Sequence, residues 1–141
     1  MKKKEDKFFV EIPLKAEFYD VDSMKIVWHG NYIKFYEQAR CALLETIGYS
    51  YDDMEESGYA WPVVNIESKY IKPIKFRQTF TIRATLEEYE NRLKISYLIY
   101  DKDTGVKINK GSSTQMAIDM KTGSTLFVSP KVLLDKVKAV L

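Results

Sequence analysis

Asp20, Asp22 and His29 are the side chains in this sequence whose types and spacing suggest chemistry. They lie in the stretch FYDVDSMKIVWHGNYIKFYEQAR, Phe18 to Arg40, and His29 is the only histidine among 141 residues. A carboxylate can attack a carbonyl carbon or take a proton from water, and an imidazole can move a proton. As ligands of one metal ion the three make a poor set, because a hydrolytic zinc site takes more nitrogen or sulfur donors. A competing structural reading makes the aspartates loop residues that form Asx turns or favour the start of the following helix. Taken together, the stretch offers one carboxylate, one imidazole and the amides of a helix N-terminus, a partial positive pole able to hold an oxyanion. That set is enough for an easy acyl transfer. A thioester qualifies, since its thiolate (thiol pKa ~8.5) leaves with little acid assistance. Amide hydrolysis would need more than the sequence supplies.

These residues must be positioned by a strand before them and a helix after them. A strand is expected over about Phe8–Phe18. A helix follows over Tyr32–Ile47, which holds neither Pro nor Gly, with Asn31 or His29 as N-cap and Gly48 as stop. Tyr32, Tyr36, Ala39, Leu43 and Ile47 form one apolar stripe. Ile33, Phe35, Ala42 and Leu44 widen it, so the helix should be buried on more than one side. Ser50 ahead of Asp52-Asp53 signals a short capped turn that closes at Gly58.

Beyond that the pattern is period two. FTIRATL places Phe80, Ile82, Ala84 and Leu86 on one face, and LKISYLIY does the same with Leu93, Ile95, Tyr97 and Ile99. Two further strands fit about Val63–Ile71 and Val106–Ile118, and Ser129-Pro130 opens a final short helix with Pro at its first position. One early helix followed by a meander of four long strands is an α+β arrangement. Strands of ~11–13 residues would span ~36–43 Å, against ~26 Å for the helix. Such a sheet can curl around the helix.

Composition narrows the partners. The chain is long enough for one domain, expected over residues 1–141, that buries roughly 70% of its unfolded surface. Its 22 basic and 20 acidic residues are mixed, which argues against nucleic acid or an anionic membrane as partner. Lys2-Lys3-Lys4 reads as a solvated, frayed N-terminus. No signal peptide is recognisable, and no run approaches the ~18 apolar residues needed to span a bilayer. Cys41 is the only cysteine, so no internal disulfide is possible. The expected location is the cytoplasm.

The stretch YDVDSMKIVWHGNYIKFYEQAR resembles the signature of the hotdog-fold acyl-CoA thioesterases of the 4-hydroxybenzoyl-CoA thioesterase type. The matching positions are Asp20, Asp22, Ile26, Val27, Trp28, His29, Asn31, Tyr32, Phe35, Glu37, Ala39 and Arg40. Downstream, VVNIESKYIKPIKFRQTFTI looks like the family's second strand with its Y-x-x-P element, Tyr70 and Pro73, and the likeness covers about residues 8–130. It implies a hotdog fold, in which a long antiparallel sheet wraps one central α-helix. It also implies an acyl-CoA or acyl-carrier-protein thioester as substrate, with neither metal nor other cofactor. Assembly would be a homodimer or homotetramer with active sites at subunit interfaces. Asp22 would be the catalytic carboxylate, as nucleophile or as base, with His29 assisting. Val27, Trp28, Asn31 and Tyr32 would contact substrate, while Asp20 shapes the loop. Ser112 and Ser113, beside Thr114, form a polar patch able to admit a pantetheine arm, with a half-exposed strand as the competing reading.

Two positions depart from the signature. Lys25 stands where the family usually carries glycine, so either a lysine takes a left-handed conformation at a cost of roughly 1 kcal/mol or the loop is reshaped. Phe18 stands where some relatives have a tyrosine, and the phenol falls at Tyr19 instead. Glu37 and Arg40 can pair across i, i+3, with Glu37 a minor catalytic candidate. Two other functions use the same scaffold: hydration or dehydration of enoyl thioesters, and acyl-CoA binding without catalysis.

Overall fold

The structure, a computed structural model, describes residues 7–141, so the Lys2-Lys3-Lys4 run lies outside the described residues. Five antiparallel strands form the main sheet: β1 (Phe9–Lys15), β3 (Val63–Tyr70), β4 (Thr79–Glu88), β5 (Leu93–Asp101) and β6 (Lys107–Gln115). Helix α1 (Asn31–Thr46) packs on β1 and β4. Smaller elements are α2 (Tyr51–Glu56), the paired β2 (Tyr59–Ala60) and β7 (Ile118–Asp119), and α3 (Lys131–Lys138). This is the α+β hotdog arrangement of a sheet around a central helix.

The apolar periods account for the core. In β4, Phe80, Ile82 and Ala84 are fully buried, and β5 contributes Leu93, Ile95 and Ile99 from its own alternation. From α1 come Tyr32, Phe35, Tyr36, Ala39, Leu43 and Leu44. Burying each such large apolar side chain is worth about 1.5–3 kcal/mol. Tyr36 lies flat on Tyr97, with centroids 4.4 Å apart and ring planes 5° apart, which joins the middle of the helix to the middle of the sheet.

Helix α1 ends where the sequence indicates. Gly48 takes φ +79°, its N–H bonds the Glu45 carbonyl, and Tyr49 N–H reaches back to the Leu44 carbonyl. That pair is a Schellman motif, which needs a residue free to adopt the left-handed conformation. Ser50 caps α2 through a reciprocal pair with Asp53, and Gly58 follows at φ +89°.

Several expectations need correction. The sheet order is β1-β4-β5-β6-β3, so the four long strands are not one meander. Strand β3 crosses to the far edge beside β6, while β1 takes the place next to β4. The main strands hold 7 to 10 residues rather than ~11–13. Strand β1 stops at Lys15, because Phe18–Asp20 winds into a 3-10 turn closed by the Asp20 side chain on the Glu17 N–H. Gly30 is the N-cap of α1, since the Asn31 side chain is drawn to the Asp20 carbonyl (2.8 Å) instead. Ile33 stays 43% exposed, leaving one side of α1 open. Pro130 precedes α3 as its N-cap rather than opening it. Among the described residues no helix is long and apolar enough to cross a membrane.

Candidate active site

The segment between the 3-10 turn and α1 is a tight hairpin. Val21 bridges Val27, Asp22 N–H bonds the Ile26 carbonyl (2.9 Å), and Lys25 N–H bonds the Asp22 carbonyl (2.9 Å). Lys25 has φ +62°, the left-handed conformation that a short bulged hairpin places after its turn and that glycine fills at least cost. The loop has thus kept the glycine-type geometry and carries lysine in it. Its position is fixed from outside by the connection that follows β3. Phe76 N–H bonds the Lys25 carbonyl, Val27 N–H bonds the Ile74 carbonyl (2.8 Å), and Ile26 bridges Lys75.

The two aspartates separate sharply. Asp20 is 3% exposed, and its Oδ1 meets the Lys34 ammonium at 2.7 Å while its Oδ2 accepts the Glu17 N–H. Its carbonyl accepts both the Trp28 N–H and the Asn31 side-chain amide. Asp20 therefore ties the loop to the start of α1. Asp22 is half-buried and uses Oδ1 for an Asx turn on the Met24 N–H at 2.8 Å. Among the described residues Asp22 Oδ2 has no hydrogen-bond partner.

A groove of about 410 Å³ opens beside this loop, lined by Asp22, Ile26, Val27, His29, Tyr32 and Tyr70 together with Ile71–Pro73. Burial raises the Tyr32 phenol to about 12, so it keeps its proton at neutral pH. The first amides of α1 are partly used, with Asn31 N–H on the Trp28 carbonyl (2.9 Å) and Tyr32 N–H on that of His29 at a long 3.5 Å. Among the described residues the N–H groups of His29 and Gly30 have no partner. No three His, Cys, Asp or Glu side chains among the described residues come together in a way that could hold a metal ion.

Of the expected site residues, Asp22, Val27, His29 and Tyr32 line this one groove. Asn31 directs its amide to Asp20, and the Trp28 ring tilts against His29 and covers Gly30, where an added Cβ would meet it at 2.1 Å. Ser112 and Ser113 lie apart from the groove and are buried, at 8% and 1% exposure, on β6 between β5 and β3. The Ser113 hydroxyl pairs with the Tyr97 hydroxyl at 2.6 Å. Phe18 and Tyr19 are both exposed and line no part of the groove. Arg40 does not pair with Glu37; it is buried and donates to the phenols of Tyr51 (2.7 Å) and Tyr97 (3.5 Å). The sequence reading did not name Tyr70 as a site residue, although the Y-x-x-P element had already marked it.

Known proteins resemble this chain along most of its length. A family described as the thioesterase-like superfamily matches residues 16–139. YneP of Bacillus subtilis (strain 168), provisionally named an acyl-CoA thioesterase, is 31% identical over 110 residues, covering 77% of this chain and 79% of the relative. A provisionally named esterase of Synechocystis, sll0410, is 31% identical over 129 residues, 91% of this chain and 77% of its own. Among solved structures, a DHNA-CoA thioesterase from Staphylococcus aureus superposes with TM-score 0.80 at 25% identity, over 94% of this chain and 92% of that one.

Proposed function

This chain belongs to the thioesterase-like superfamily, and from that membership we propose that it is a single hotdog domain hydrolysing acyl-CoA thioesters through Asp22. The observation that carries the assignment is the placement of Asp22. Its carboxylate has one oxygen held by Met24 N–H and the other without a partner among the described residues, on the same groove as His29 and the start of α1. For the carbonyl oxygen of an acyl thioester seated at that carboxylate, the donors we assign are the N–H groups of His29 and Gly30, which have no partner among the described residues. The carboxylate either attacks that carbon, giving a mixed anhydride that water then opens, or takes the proton of the attacking water. In both routes the C–S bond breaks, the thiolate leaves and is protonated, and one water is consumed. We assign the transfer of that proton to His29, which lines the same groove.

The groove also supports assembly as a homodimer or a pair of dimers. On its wall Tyr70 ends β3 and Ile71 follows it, and among the described residues the outer edge of β3 has no strand beside it. A second copy pairing there by a two-fold axis would close the groove on its open side.

Release of free thiol from a panel of acyl-CoA and acyl-carrier-protein thioesters, compared with the Asp22→Asn variant, tests the proposal. Asparagine keeps an oxygen for the Met24 N–H, so the loop survives while turnover falls by several orders of magnitude, about 10³ or more. A fully active variant rejects Asp22 as the reacting group. Loss of the enoyl chromophore of crotonyl-CoA without thiol release would indicate hydration instead.

A further inference from the structure

One wall of the groove comes from outside the Asp22–His29 stretch. Tyr70 donates its phenolic hydrogen to the His29 carbonyl at 2.9 Å, and its ring meets Tyr32 edge-on, 4.9 Å away at 90°. The accepting carbonyl belongs to the peptide that joins His29 to Gly30. Gly30 is the N-cap of α1, and no side-chain hydrogen bond caps that end. The neighbouring amides are already fixed, Trp28 N–H on Asp20 and Asn31 N–H on Trp28. The His29 carbonyl takes only a long 3.5 Å bond from the Tyr32 N–H besides the phenol, so strand β3 holds the His29–Gly30 peptide chiefly through Tyr70. A carbonyl that accepts a hydrogen bond also polarises its peptide, which makes the N–H at the other end a stronger donor.

We propose that Tyr70 is a positioning residue, holding the His29–Gly30 peptide so that the histidine and the free amides face the thioester carbonyl. The proposal rests on reading the groove as the hydrolytic site. It adds a function for a residue on the opposite sheet edge that makes no contact with the Asp22 loop hydrogen bonds. Tyr70 is 49% exposed, so its hydroxyl serves the loop more than the stability of the core.

Tyr70→Phe tests this, because it keeps the ring against Tyr32 and removes only the hydroxyl. The expected result is a kcat lowered roughly tenfold with KM changed by less than about threefold, the pattern of an interaction felt mainly in the transition state. Circular dichroism at the assay temperature should show the wild-type fold. Tyr36→Phe is the comparison: it loses hydrogen bonds to Ser68 and Asn109 inside the core, so it should lower Tm and keep kcat. A Tyr70→Phe enzyme with wild-type kcat overturns the proposal, as does one in which kcat falls only as far as Tm explains. If Asp22→Asn is inactive while Tyr70→Phe is unimpaired, the hydrolytic reading stands and only the positioning role fails. An active Asp22→Asn removes the hydrolytic reading itself.

Discussion

The Lys34 ammonium stands 2.7 Å from Asp20 Oδ1, the carboxylate being 4% exposed and the lysine side chain 45%. The pair spans from the 3-10 turn to the first turn of α1 and so fixes the distance across the loop that carries Asp22 and His29. Asp20→Ala removes this pair and the bond to Glu17 N–H together. Lys34 is solvated enough to tolerate losing its partner, so the expected cost is about 1–3 kcal/mol, mostly from the unsatisfied Glu17 amide and the loosened loop. Thermal unfolding should show a Tm lower by several degrees, and Asp20→Asn should fall in between. A variant as stable as the wild type would mean that the pair contributes nothing.

Lys25→Gly should stabilise the protein. At φ +62° a side chain bearing Cβ is held in a conformation that costs it about 1–2 kcal/mol, which glycine avoids, and the extra chain entropy that glycine loses on folding offsets only part of that saving. A gain of about 0.5–1 kcal/mol in urea unfolding is expected. A loss would show that the lysine side chain makes a compensating interaction.

These two residues also show how far the sequence reaches. Period-two alternation identified β4 and β5, and Gly48 marked the end of α1, because both signals act locally. Alternation carries no information about which strand lies alongside, so the transfer of β3 to the far edge could not be read from it. Asn31 looked like an N-cap because asparagine favours that position in isolation; the Asp20 carbonyl, eleven residues away, took its amide instead. Ser112 and Ser113 looked half-exposed because they are polar, whereas both are buried on β6, between β5 and β3, and the Tyr97 hydroxyl satisfies that of Ser113 there. The Glu37–Arg40 spacing permitted a pair on the helix surface. Arg40 instead turned inward to two phenols contributed by α2 and β5. Asp22 and His29 were legible as candidates because they sit on one short segment, whereas the Y-x-x-P element marked Tyr70 without indicating that the folded sheet brings it to the same groove.

Stability should fall at alkaline pH. Burial pushes the phenols of Tyr32 and Tyr36 up to about 12, above the ordinary value near 10. Below pH 10 both folded and unfolded chains hold these protons, so no dependence is expected. Between about 10 and 12 the unfolded chain releases them and the folded chain does not, which favours unfolding by up to about 1.4 kcal/mol per unit for each group. Urea unfolding followed at pH 9, 10 and 11 should give a level value and then a decline, and Tyr36→Phe should make the decline shallower. A flat profile through pH 11 would mean that the phenols ionise in place.

The open edge of β3 gives the last prediction. Its sequence VVNIESKY carries Glu67 and Lys69 and is bulged between Val63 and Asn65, and Val63, Val64 and Tyr70 are exposed on or near it. Charge and a bulge protect an edge in part, and among the described residues no element covers the apolar side chains left exposed here. If two copies pair here about a two-fold axis, every substitution is presented twice and close together. Val64→Asp then places two like charges at the junction, where repulsion and desolvation act together. Sedimentation should show the wild type at twice the mass of one chain or more, and the variant shifted toward a single chain. Thiol release should fall with the fraction assembled, because the groove that holds Asp22 and His29 borders this edge through Tyr70 and Ile71. A wild type that sediments as one chain while fully active would show that the groove works without a second copy.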